Sequence, residues 1–127
     1  TKYSREDRKK AMQLLDKVGI ASVAERQIGE VSGGQLQRAL LCRAVISEPK
    51  LLILDEPTNF IDKQFESELY DILKQLNERM AIVMVSHDVN NISPAVKSIV
   101  CVNRKLHRHN TNTLSHNQLR EYCSVNR

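Results

Sequence analysis

Two short apolar runs separated by a helical pattern place the strongest constraint on how this 127-residue chain can fold. Leu51–Leu54 and Ala81–Val85 lack polar alternation, which is typical of strands that are covered on both faces in a parallel sheet. Gln64–Asn77 between them carries apolar residues at helical spacing, namely Phe65, Leu69, Ile72, Leu73 and Leu76. A strand, a helix and a second strand predict a right-handed parallel crossover, and therefore an α/β protein.

The composition narrows the classes of protein that remain. The chain is long enough for one domain at most, and its 41% hydrophobic and 27% charged residues are ordinary for a globular protein. The net charge of +4 would allow binding to nucleic acid or to an anionic membrane surface. Basic residues stand beside acidic ones along most of the chain, so no nucleic-acid partner is expected.

Targeting segments and disulfides are not expected either. No run approaches the ~20 apolar residues of a membrane span, and Thr1–Lys10 lacks the apolar core of a signal peptide. Cys42, Cys101 and Cys123 have no CxxC spacing. They suggest neither a disulfide framework nor a zinc knuckle and fit a reducing compartment.

The remaining elements follow from periodicity and turn residues. Ser4–Val18 is predicted to be a helix that Ser4 caps and Gly19 ends. Gln35–Ile46 is predicted to be a second helix, with Leu36, Leu40, Ala44 and neighbouring residues on its buried stripe. The later segments are a short turn or helix over Asn90–Ala95, strands over Ser98–Val102 and Lys105–His109, and a terminal helix over Thr113–Tyr122.

The second helix starts in a Ser-Gly-Gly turn within Val31–Arg38. Ser32 is a good N-cap, because its hydroxyl can accept a hydrogen bond from an N–H group of the first helical turn. Gly33 and Gly34 would let a ligand or another chain approach the backbone, and the exposed amides favour an anion. A capped turn without a ligand is the simpler interpretation of this motif taken alone.

Acidic residues and a histidine follow the two apolar strands. Ligands of parallel sheets bind beyond the carboxyl ends of the strands, where this sequence has Asp55, Glu56 and His87. The first acid suits a hydrated Mg²⁺, and the second is then free to polarise an attacking water. The alternative is that the acids end a strand and cap the next helix, and that His87 is an ordinary surface residue.

Taken together and in this order, these pieces resemble the ATP-binding-cassette (ABC) ATPases over roughly residues 20–105. Val31–Gln35 resembles the family's signature motif, with Val in place of the usual Leu. Leu51–Glu56 resembles its Walker B strand, Thr58–Asp62 its D-loop, and Ser86–Asp88 its switch-histidine loop. The implied fold is a partial P-loop NTPase (RecA-like) α/β domain, with a parallel sheet, flanking helices and the end of a helical subdomain.

The resemblance implies a role for each matching residue. Ser32, Gly33, Gly34 and Gln35 would contact the γ-phosphate of ATP held by a partner subunit. Asp55 would hold Mg²⁺ through water, Glu56 would be the general base, and His87 would sense the γ-phosphate. Asp62 would couple the two sites across the dimer. Positioning and charge stabilisation of a phosphoryl transfer are what such groups can supply.

The family's Walker A loop has no counterpart in this sequence. The pattern GxxxxGK(S/T) finds only Gly29 and Gly34 at the right separation, and Gln35-Leu36 follows in place of Lys and Ser/Thr. The resemblance therefore implies the C-terminal part of a nucleotide-binding domain, with residues 1–34 ending the helical subdomain and residues 35–127 belonging to the ATPase core. The chain alone is expected neither to bind ATP tightly nor to hydrolyse it.

The missing segment has a structural consequence. In the family, the Walker A strand lies between the strand that ends at His87 and the one that begins near Ser98. Its loss would leave open backbone groups and bare apolar surface, so self-association of the chain is expected.

The segment Ser86–Ser93, followed by Val96–His107, resembles the ATPase subunits of bacterial zinc or manganese importers. This implies a second ATPase subunit in a homodimer, a membrane permease and indirectly a solute-binding protein as partners, with the complex peripheral on the inner face of the cell membrane. The segment Asp55–Asp62 also resembles soluble ribosome-associated cassette proteins. A non-catalytic module that donates its signature helix to another subunit is the third interpretation.

His107 and His109 lie two residues apart and would suit a metal, although His-x-His on an edge strand is common without one.

Overall fold

The computed structural model describes residues 2–88, 95–103, 105–110 and 117–118. By contacts, the chain divides into two compact units, residues 1–85 and 86–127. The first contains α1 (Arg5–Lys17), α2 (Gly33–Val45), β1 (Leu51–Asp55), α3 (Lys63–Asn77) and β2 (Ala81–Val85), with 3₁₀ turns at Ala21–Val23 and Ile28–Glu30. The second contains β3 (Ser98–Asn103) and β4 (Lys105–Asn110). None of the helices in the described part is long and apolar enough to cross a membrane.

The predicted capping residues start the first helix and end it. At the start of α1, Asp7 N donates to Ser4 Oγ (3.0 Å) and Ser4 N donates to Asp7 Oδ2 (2.8 Å), which completes a capping box. The chain leaves the helix through Gly19, whose φ of +74° lies in the region that glycine tolerates without strain.

The two apolar runs form the predicted parallel pair. β1 and β2 run in register from Leu51 opposite Ala81 to Asp55 opposite Val85. The expectation that both faces are covered is wrong for this chain, because burial alternates along both strands. Leu52, Leu54, Ile82 and Met84 face the core, whereas Leu51, Ile53, Val83 and Val85 are 49–64% exposed. The structure therefore has the bare apolar surface that the missing strand predicts.

The core of the first unit lies between the three helices and the inner face of the β1–β2 pair. Phe65, Leu69, Ile72 and Leu73 of α3 are buried there, as their spacing predicts. The buried stripe predicted for α2 is wrong at two of its three named residues, while Leu36 is half-buried. Leu40 is 50% exposed and Ala44 is also exposed, while the buried residues are Leu41, Cys42 and Val45. Apolar residues occur at helical spacing on both of these sides of α2, so periodicity alone could not show which side is buried.

The second unit contains an antiparallel hairpin at the predicted positions. β3 pairs with β4 from Ser98 opposite Asn110 to Asn103 opposite Lys105. Cys101 is buried and disulfide-bonded, contrary to the expectation drawn from the cysteine spacing. Most of the predicted segment Asn90–Ala95 lies outside the described residues. Of the predicted helix Thr113–Tyr122, only Asn117 and Gln118 are described, in helical conformation.

Candidate functional site

The start of α2 presents hydrogen-bond donors that suit an anion. Gln35 N donates to Ser32 Oγ (3.1 Å) and Ser32 N donates to Gln35 Oε1 (2.9 Å), so the predicted cap is a complete capping box. The first intrahelical bond runs from Leu36 N to Ser32 O at 2.8 Å. The N–H groups of Gly33 and Gly34 precede it and are available to a ligand, together with the hydroxyl proton of Ser32.

This turn lines an open groove of about 590 Å³. The other residues around the groove come from the end of α1, from α2 and from the segment that follows β1, and they are Gly19, Ile20, Arg38, Phe60 and Asp62. The structure thus brings Ser32, Gly33, Gly34, Gln35 and Asp62 to one place, although 30 positions separate Ser32 from Asp62 in the chain.

The two glycines of the turn have different surroundings. A Cβ atom on Gly34 would lie 3.0 Å from the carbonyl oxygen of Phe60, whereas one on Gly33 would lie 4.0 Å from the nearest atom, Phe60 Cβ. A 3.0 Å approach to a backbone oxygen is tighter than most Cβ contacts, so a side chain at position 34 would need the Phe60 carbonyl to move by a few tenths of an ångström. Gly33 leaves room for a ligand.

Asp55 and Glu56 lie at the carboxyl end of β1. Asp55 is the last residue of the strand and is exposed, and Glu56 N extends the pairing with β2 by donating to Val85 O at 2.8 Å. Glu56 has a φ of +45°, a left-handed backbone that places a strain of roughly 1–2 kcal/mol on a residue with a side chain. Such strain is concentrated at functional sites, because surrounding contacts must maintain it.

Asp62 is the N-cap of α3 and carries a paired charge. Its Oδ1 accepts from Phe65 N at 2.9 Å and its Oδ2 accepts from Arg38 Nη2 at 3.1 Å. The Phe65 N–H, and after it the charge of Arg38, lower the pKa of Asp62 from its ordinary value of 3.8. Because Arg38 pairs with this carboxylate, Asp62 adds no uncompensated negative charge to a groove that presents donors to an anion.

Sequence reasoning missed Arg38, which lines the groove, and its neighbour Gln37. Gln37 Nε2 donates to Pro57 O at 2.7 Å, and Arg38 reaches Asp62. Their partners lie 20 and 24 positions away, so no local pattern indicates the contacts. In the structure Arg38 precedes Leu41, Cys42 and Val45 at helical spacing and therefore lies on the buried stripe, where a charged residue needs a partner.

His87 belongs to the second compact unit, where it is exposed. Beside it, Asp88 N donates to Ser86 Oγ at 3.1 Å.

Within the described residues, no three potential ligands cluster around a metal position. A single carboxylate such as Asp55 fits a Mg²⁺ ion that keeps most of its water ligands. His107 pairs across the hairpin with Cys101 and His109 with Ile99.

The parallel β1–β2 pair and the helices packed against it form part of an α/β domain. The sequence profile of the ABC transporter family matches residues 1–59. The chain belongs to the ATP-binding-cassette family.

Curated relatives of this family are similar over most of the chain. The zinc import ATP-binding protein ZnuC of Cereibacter sphaeroides is 44% identical over 92 residues, which cover 71% of this chain and 38% of that protein. ZnuC of Saccharophagus degradans is 43% identical over 105 residues, covering 81% and 39%. The chain therefore spans about two fifths of the length of these relatives.

Among solved structures, one of a metal-chelate type ABC transporter in an inward-facing conformation is similar to this fold. Its TM-score is 0.79 at 29% identity, over 96% of this chain and 50% of that chain. The structural similarity extends over nearly the whole of this chain, but it covers only half of the solved chain.

Proposed function

We propose that this chain is part of the ATP-binding subunit of an ABC importer that couples ATP hydrolysis to uptake of a divalent metal of the zinc type. The observation that carries this proposal is the start of α2, where Ser32, Gly33 and Gly34 present donors to a groove beside the paired Asp62. The names of the relatives favour zinc import over the ribosome-associated interpretation.

In this proposal the groove binds a phosphate that another subunit presents. Ser32 Oγ and the N–H groups of Gly33 and Gly34 donate to the γ-phosphate oxygens of ATP, and Gln35 completes the turn. Asp62 couples the two sites of the ATPase homodimer. The remaining partners are a membrane permease and, indirectly, a solute-binding protein, with the assembly peripheral on the inner face of the cell membrane.

The acidic pair supplies the hydrolytic chemistry in a complete site. Asp55 would hold Mg²⁺ through water, and the bound ion would supply positive charge for a phosphoryl transfer. Glu56 accepts a proton from the attacking water while the bond between the γ-phosphorus and the bridging oxygen breaks and ADP leaves with that oxygen. His87 donates to a γ-phosphate oxygen and so senses whether it is present.

Binding to an ATP-loaded subunit tests the groove. The 127-residue chain is titrated into the complete Cereibacter sphaeroides relative with and without Mg-ATP, and we expect at least tenfold tighter association with nucleotide. Ser32→Asp serves as a matched variant, since Asp keeps the N-cap but places a carboxylate against the phosphate. Association that is equal with and without nucleotide, or unchanged in Ser32→Asp, contradicts the proposal.

Two further measurements test the rest of the proposal. The chain alone is expected to show no ATP hydrolysis, and Mg²⁺-dependent turnover that Glu56→Gln abolishes would contradict this. For the cargo, cells in which the gene for this chain is deleted should grow poorly under zinc chelation. Added zinc should restore growth, and restoration by manganese alone would overturn the zinc assignment.

A further inference from the structure

Two neighbouring side chains of α2 bind the two ends of the segment that joins the acidic pair to α3. Gln37 Nε2 donates to Pro57 O at 2.7 Å, directly after Glu56, and Arg38 Nη2 donates to Asp62 Oδ2 at 3.1 Å. Residues 57–61, called here the 57–61 loop, are thus bound at both ends to one turn of one helix.

The loop also contacts α2 in its middle. The carbonyl oxygen of Phe60 lies so near Gly34 that a Cβ there would be 3.0 Å away. Phe60 itself is 87% exposed and has a φ of +65°, so its own side chain does not anchor it. Glu56, directly before the loop, has a φ of +45°, so two of the three left-handed non-glycine residues in the described part lie in this loop or next to it, and surrounding contacts must maintain them.

Arg38 connects three elements at once. Its Nη1 donates to Val18 O at the end of α1 (3.2 Å), its Nη2 binds Asp62 before α3, and its guanidinium lies 3.7 Å from the centroid of the Phe65 ring. The side chain is only 18% exposed. The planar guanidinium of Arg38 stacks on a ring and donates hydrogen bonds in two directions, so it fixes the orientation of the elements that it contacts. The ammonium group of a lysine could not do so.

We propose that Gln37 and Arg38 are positioning residues, forming a two-point clamp through which the Ser32–Gln35 turn and the 57–61 loop that follows Glu56 move as one body. A ligand that displaces α2 then displaces the backbone next to Glu56 as well. This use of the clamp rests on the proposed function, whereas the clamp itself does not.

Hydrogen exchange of the ligand-free chain tests the clamp. Asn59 N donates to Glu56 O, and Phe65 N donates to Asp62 Oδ1, so these two amides report on the loop and on its far end. Ala81 N, which donates to Lys50 O beside the sheet, reports on the rest of the unit. In Arg38→Gln we expect Asn59 and Phe65 to exchange about tenfold faster, as for loss of a charge-assisted bond, with Ala81 unchanged.

Matched variants separate positioning from general stability. Arg43→Gln removes the same charge from an exposed position of the same helix and should leave all three amides unchanged. Gln37→Met keeps the length but loses the donor, and should accelerate Asn59 more than Phe65. Arg38→Lys should restore less than half of the lost protection. Unchanged loop amides in Arg38→Gln, equal acceleration of all three amides, or full restoration by Lys would each overturn the clamp.

A second arm connects the clamp to the proposed function. When the ATP-loaded relative binds the chain, Asn59 should gain protection in the wild type and not in Arg38→Gln, while Ser32→Asp abolishes binding itself. Absence of binding in the wild type would count against the proposed function. Binding that protects Asn59 equally in both proteins would count against the clamp.

Discussion

Gly33 and Gly34 are adjacent in the sequence, but a side chain at each would meet different neighbours. At Gly33 the space is open, and Gly→Ala in a helix ordinarily gains about 1 kcal/mol. At Gly34 the new methyl group would press against the Phe60 carbonyl, and the hydrogen bonds of Gln37 and Arg38 to the two ends of its loop oppose a withdrawal of that carbonyl.

We therefore expect Gly33→Ala to be neutral or stabilising, and Gly34→Ala to lower the free energy of unfolding by roughly 1–3 kcal/mol, the range for overpacking. Urea unfolding of the two variants makes the comparison. Equal stabilities would contradict the contact between Gly34 and Phe60.

Asp62 links stability to pH at the same site. Its pKa is lower in the folded chain than the ordinary 3.8, because of the Phe65 N–H and the charge of Arg38. A lowered folded-state pKa means that this contribution is fully present above the ordinary value and is lost as the pH falls through the folded value. Ser4 lowers the pKa of Asp7 in the same direction.

Melting temperatures measured from neutral pH down to about pH 2 should accordingly fall below pH 4 in the wild type and less steeply in Asp62→Asn. Asp71→Asn, at an exposed position of the same helix, is the control and should follow the wild-type curve. A curve for Asp62→Asn that superimposes on the wild type would contradict this linkage.

At the scale of elements, the N-cap of α2 has a structural role besides the proposed one. Ser32→Ala removes the acceptor for Gln35 N and should cost about 1 kcal/mol of unfolding free energy without any ligand present. Ser67→Ala on the exposed side of α3 is the matched control and should cost nothing. If urea unfolding gives the same stability for Ser32→Ala as for the wild type, the capping box is not formed in solution.

Two leucines on different helices, one buried and one exposed, give a second contrast. Leu69 is 2% exposed in the core, so Leu69→Ala should lose about 2–5 kcal/mol. Leu40 is 50% exposed, and Leu40→Ala should lose less than half as much in the same urea measurement. Equal losses would mean that the Leu40 side of α2 is covered in solution.

The existence of most elements could be predicted because caps, turns and periodicity are local. Ser4, Gly19 and Ser32 mark helix ends, and the spacing from Phe65 to Leu73 indicates which side of α3 is buried. The buried side of α2 could not be predicted, because apolar residues occur at helical spacing both on the side of Leu40 and on the side of Leu41. Gln37 and Arg38 bind residues distant in the chain, and only the fold brings those partners near.

At the scale of the whole molecule, the order of the motifs identified the fold, but the strand patterns predicted more burial than this chain has. Leu51, Ile53, Val83 and Val85 are apolar, although they form an exposed face of the β1–β2 pair. An apolar run shows that a strand suits burial, but what packs against each face depends on residues distant in the chain.

This exposed face should make the chain self-associate, as we infer from an apolar sheet surface with nothing packed against it in the described residues. Light scattering should give a dimer or larger species for the wild type, and a shift toward monomer in the double variant Ile53→Lys, Val83→Lys. Leu40→Lys, at an exposed apolar position outside the sheet, is the control and should not change the mass. A monodisperse wild-type monomer would contradict the inference.

The same face affects how unfolding can be followed. Environment-sensitive fluorescent dyes bind accessible hydrocarbon, and here four aliphatic side chains are accessible before any heating begins. In the fraction of the chain that has not self-associated, a dye would be bright in the native protein and would brighten little on melting, so a conventional thermal-shift trace would suggest an unfolded sample. Far-ultraviolet circular dichroism reads the α-helices directly and would report the transition that the dye conceals.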